Sequence, residues 1–145
     1  MNTEQDDDST VRLPATGSVK ANMTVDGTSY TFSSDSVTHL YNPSFSHYRM
    51  SGVSSKPDST IFLWIKKGIA NRVYDLAQAN QDVQMDIRYE EVTTRATEGK
   101  VDIKVVITPE RHHFQATFNF VAGQQNEYKV TNGELDISRV FELAK

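Results

Sequence analysis

Apolar and polar residues alternate with a period of two along much of this chain. Val101, Ile103, Val105 and Ile107 are interleaved with Asp102 and Lys104, and Phe114, Ala116, Phe118 and Phe120 with Gln115, Thr117 and Asn119. Successive side chains of a strand point to opposite faces, so this period predicts strands with one face in a core and one in water. Val19, Ala21, Met23 and Val25 repeat the pattern, as do Val83, Met85, Ile87 and Tyr89.

Turn chemistry divides the pattern into elements. Asp26-Gly27 is a strong hairpin signal and predicts a hairpin over residues 17–33, with Tyr30 and Phe32 on one face of its second strand. A short strand over 37–41 ends at Asn42-Pro43, because proline donates nothing to a ladder. Another is expected over 47–53, followed by a loop over 54–59. The apolar run Ile61-Phe62-Leu63-Trp64-Ile65 reads as a central strand buried on both faces. Ile69, Val73, Leu76 and Ala77 fall at helical spacing, which makes 69–80 the one place for a short helix, with an irregular loop and then a strand as the alternatives.

After the strand over 83–90, residues 93–99 read as a connection. Strands over 100–108 and 112–121 then flank the loop Pro109-Glu110-Arg111. Gly123-Gln124-Gln125-Asn126 turns the chain into 127–131, and Asn132-Gly133 predicts a closing hairpin into 134–138. Residues 140–145 extend as an edge strand or a helical turn. The expected fold is all-β: an antiparallel β-sandwich, or alternatively a partly closed antiparallel β-barrel.

Composition narrows the picture. A chain of 145 residues is expected to form one domain over 17–145, behind an acidic tail or linker over 1–16 that contains Asp6-Asp7-Asp8 and lacks apolar periodicity. Cysteine is absent, which removes disulfides, thiol nucleophiles and Cys-ligated metals. A net charge of −4 with no basic stripe argues against a nucleic-acid partner. The pair Lys66-Lys67 beside Gly68 reads as a solubilising turn. There is no apolar run long enough to span a bilayer. The polar start from Met1 fits a cytoplasmic protein, or a periplasmic or cell-envelope protein whose export signal has been removed.

Three stretches resemble a family of small bacterial β-domains of unknown function, many of them exported or lipoprotein-like and best known from the Bacteroidetes. Gly17-Ser18-Val19-Lys20-Ala21 with Val25-Asp26-Gly27-Thr28-Ser29-Tyr30 resembles that family's opening hairpin. The run from His113 to Ala122 resembles its late strand, and that from Val130 to Ile137 its closing hairpin. Gln115-Ala116 stands where the family tends to have glycine. The resemblance implies a β-fold and export. It carries no activity or site.

Candidate chemistry is sparse. His112 and His113 are adjacent, so on a strand they face opposite ways and cannot both bind one ion; a metal site would need His39 or His47 alongside, with a carboxylate. No metal-ligand spacing, G-x-S-x-G elbow or phosphate-cradling loop is present, so neither a metal site nor a cofactor is expected. Asp86 and Glu90, with Arg88 between them, read as a salt-bridged sheet surface. The aromatics Tyr41, Phe45, Tyr48 and Trp64 cluster around the Asn42-Pro43-Ser44 loop and form the candidate binding site for a protein or glycan partner. The functional expectation is a non-enzymatic binding or accessory domain. The alternatives are a lipocalin-like carrier of a small apolar ligand, an enzyme with a site assembled from distant residues, and a protein that pairs through an unprotected strand edge.

Overall fold

The structure, a computed structural model, describes residues 10–12, 14–42, 44, 46–77 and 82–143. Among them are eleven strands and no helix: β1 (Thr10–Arg12), β2 (Thr16–Val25), β3 (Thr28–Ser33), β4 (Ser36–Asn42), β5 (His47–Ser55), β6 (Asp58–Lys66), β7 (Val73–Asp75), β8 (Val83–Tyr89), β9 (Val92–Ile107), β10 (Arg111–Ala122) and β11 (Tyr128–Leu143). The protein is all-β and antiparallel. Its strands form one sheet in the order β3-β2-β11-β10-β9-β8-β6-β5-β4, with β1 on β11 and β7 on β9. That sheet curls into a half-barrel, nearer the partly closed barrel than two separate sandwich sheets.

The curl is set by where the inner face is thin. Gly52 on β5 faces Val19 on β2, and a Cβ at Gly52 would lie 2.6 Å from that valine's Cβ. The two arms of the sheet meet there because one position has no side chain. The inner face is otherwise closed by Met23, Phe32, Met50, Leu63, Met85, Ile103, Phe114 and Ile137, all buried. These are the alternating positions of the sequence pattern.

Several elements differ from the sequence expectation. Asn132-Gly133 is not a hairpin. It lies inside β11, which has β10 on one side and β2 on the other. One extra residue enters β11 relative to both neighbours, so the pair makes a bulge, with Asn132 at φ +52°. Gly133 is needed because the Phe118 ring lies over it; an added Cβ would sit 2.2 Å from that ring. The connection expected over 93–99 is instead the first half of β9. Its inward positions Thr94 and Ala96 are small or polar, so the apolar alternation fades although the ladder continues.

No helix forms over 69–77, and residues 78–80 lie outside the described set. Tyr74 is buried while Val73, on the expected helical stripe, is 49% exposed. Short β7 pairs with β9 instead, and the Val105 amide donates to Asn71 Oδ1 at 2.9 Å. Finally, β6 is not buried equally on both faces. Ile61, Leu63 and Ile65 point into the core, whereas Phe62 and Trp64 are half-buried on the outer face. Within the stretch read as a tail, Thr10–Arg12 pairs with the end of β11; residues 1–9 lie outside the described set.

Candidate functional site

The curled sheet leaves an aromatic basin at one end. On β4 and β5, Tyr41 and Tyr48 are cross-strand partners with ring centres 5.0 Å apart. Tyr48 is buried and packs on Phe114 of β10 at 5.3 Å. His39 on β4 is buried and stacks on Tyr48 at 5.7 Å. His112 points inward from β10, with its ring 5.3 Å from His39 and 4.6 Å from Phe141.

Beside this basin lies a cleft of about 260 Å³. Its walls are Tyr48, Ile65, Ile69, Val105, Ile107 and Phe114. The turn after β6 forms its lip. There the Lys67 amide donates to the Ser46 carbonyl at 2.8 Å, which pins the lip to the β4–β5 connection. The Lys67 ammonium lies 5.7 Å from the centre of the Tyr41 ring, in cation–π range.

Two cations, Arg139 and Lys67, act on His112 at this end. Burial pushes the His112 imidazolium pKa down to about 4, and the cations of Arg139 and Lys67 push the same way. His112 is therefore neutral at pH 7. Its Nδ1 is buried with no hydrogen-bond partner among the described residues. Burial, then the neighbouring Tyr41, raises the Tyr48 phenol above its ordinary value.

The expected aromatic site does not assemble as a unit. Tyr41 and Tyr48 come together on the inner face, Trp64 lies on the outer face, and Phe45 is outside the described residues. Trp64 donates from Nε1 to Asp86 Oδ2 at 3.2 Å, and Arg95 Nε donates to Asp86 Oδ1 at 3.2 Å. The Arg49 guanidinium lies across Trp64 and Phe62, 5.4 and 5.7 Å from their ring centres. This is a braced outer surface, with Asp86 the buried carboxylate at its centre.

The two adjacent histidines do face opposite ways. His113 points out and pairs with Asp136, Nε2 to Oδ1 at 2.8 Å. His39 does come alongside His112, yet no group of three metal-ligating side chains exists among the described residues. Ser138 is the cross-strand partner of His113, but its hydroxyl contacts Thr16 Oγ1 at 3.5 Å. The same outer face carries a larger, more open depression of about 530 Å³, lined by Lys100, Asp102, Asn119 and Glu134 among others. Its mixed charges and openness make it a solvated sheet surface, and the smaller apolar cleft is the better-formed site.

Lys67 and His112 adjoin the tyrosines and Arg139 acts on His112, and no local pattern in the sequence signals this grouping. The inward parity of His112 was legible, since it shares a strand face with Phe114. What brings the far end of β11 to β4 was not. Nothing matches this chain in comparisons with protein-family models, curated proteins and solved structures.

Proposed function

We propose that this protein is a non-enzymatic binding domain that takes a small, largely apolar molecule into the cleft at the end of the half-barrel. The observation that carries this reading is the cleft itself: about 260 Å³ with aromatic and aliphatic walls. That volume lies between the roughly 150 Å³ that holds benzene and the roughly 300 Å³ at which drug-sized pockets begin. A single ring system or a short alkyl chain fits.

The surroundings of His112 and His113 favour binding over catalysis. Nucleophilic chemistry needs a histidine oriented by an acid and bonded to a hydroxyl or thiol. Among the described residues, the inward His112 has an unpartnered Nδ1, and the outward His113 has its acid but sits on an open sheet surface.

The test is thermal unfolding with 1-octanol. At ten times its Kd, a ligand that binds only the folded state adds about 1.4 kcal/mol, which raises Tm by about 4 °C for a domain of this size. Ile69→Trp, which fills the cleft from its loop wall, removes that rise. An unchanged Tm in the presence of octanol and of other short apolar compounds would contradict the reading.

A further inference from the structure

Resting on that reading, we infer that the cleft selects an amphiphile with an anionic head, its apolar body against Ile65, Ile69, Val105 and Phe114 and its head at Lys67. The argument is charge complementarity. Lys66 and Lys67 both line the cleft, and among the described residues no carboxylate does. Lys66 has a long contact to Asp82, 3.9 Å between half-exposed groups. Lys67 has none: among the described residues its ammonium faces only the Tyr41 ring.

A ring face attracts a cation without neutralising it, so Lys67 keeps both its charge and its capacity to donate hydrogen bonds. The chain as a whole is acidic, with 15 Lys and Arg against 19 Asp and Glu. A lysine pair at the lip of its apolar cleft therefore runs against the average. His112, a neighbour of both Tyr48 and Phe114, responds to the same positive field from Lys67 and Arg139. A carboxylate entering at the lip meets cations at the front and a neutral imidazole behind. A cationic amphiphile of the same length meets the Lys67 ammonium, and the nearby acid, Asp82, is engaged with Lys66.

The experiment compares octanoate, octylammonium and 1-octanol, all below micelle-forming concentrations, by calorimetry at pH 7 and low salt. Octanol reports on the cleft, and the two ions report on the sign of its lip. Octanoate is expected to bind at least about tenfold tighter than octylammonium, the ratio one charge-assisted contact supports. Lys67→Glu, in an exposed turn, is expected to reverse the order of the two ions. Equal binding of the two ions, or preference for octylammonium, would overturn the inference while leaving the cleft reading intact if octanol still binds. Failure of all three would sink the cleft reading itself. Sedimentation with phosphatidylglycerol vesicles while free octanoate is ignored would also overturn it, by placing the lysines at a membrane surface.

Discussion

At the residue scale the strongest consequence comes from His112. In the unfolded chain its ring takes a proton near its ordinary pKa of 6.5, but in the folded protein burial and the nearby cations hold that value at about 4. Between those two values the unfolded state binds more protons, so stability falls as pH drops from about 6.5 toward 4 and is fully present above 6.5. Because the ring is only partly buried and solvent screens it, the loss is on the order of 1–2 kcal/mol. The other titratable or charged groups near this ring are His39, Tyr48, Arg139 and Lys67, so a substitution is needed to assign the slope. Thermal melts between pH 7 and 4 should show His112→Phe flattening most of it. An identical slope in wild type and variant would refute the assignment. Asp35 acts elsewhere on the pH axis: hydrogen bonds from the Ser55 hydroxyl and amide pull its carboxyl below the ordinary 3.8, so its contribution is lost only in more acid solution.

At the scale of elements, the turns show what was legible. Asp26-Gly27 takes φ values of +48° and +82°, the left-handed pair a two-residue hairpin wants, and it was identified from its residues alone. The same geometry recurs at Glu90 and Glu91, with φ +49° and +70°, between the paired residues Tyr89 and Val92. Nothing in a pair of glutamates signals a turn, so the connection was placed after it, over 93–99. Replacing Glu90-Glu91 with Asn-Gly relieves the left-handed strain and is expected to stabilise by about 1 kcal/mol, raising Tm by about 3 °C. A lower Tm would mean that contacts of the glutamates outweigh the backbone term. The reverse error occurred at Asn132-Gly133, where the hairpin signal marks a bulge. The same left-handed φ serves both, and only the presence of strands on both sides of β11 separates them.

For the whole molecule, the strand alternation fixed class and inner face, because parity is a local property. Val19, Met23, Met85, Ile87, Val101, Ile103 and Phe114 are all buried where the alternation places them, whereas Ile107, on the same alternation, is exposed. The curl was not legible. It depends on Gly52 letting Val19 approach and on a long β9 that pairs with β8 at its start and β7 further along. These are relations between residues far apart in the chain. The same limit hid the cleft, whose walls come from β5, β6, the loop before β7, β9 and β10. It also split the expected aromatic site, since one strand position decides whether Trp64 faces in or out. Trp64 braces the outer face through Asp86 and stands apart from the cleft.

That separation supplies the most direct test of the account. Amide and side-chain NMR shifts of the isotopically labelled protein, followed as 1-octanol is added at pH 7, map where a small apolar molecule sits. The account predicts saturable shifts at Tyr48, residues 65–69, Val105, Ile107 and Phe114, with the Trp64 indole unmoved. Saturable shifts centred on Trp64 and Asp86, or none anywhere on the protein, would contradict it.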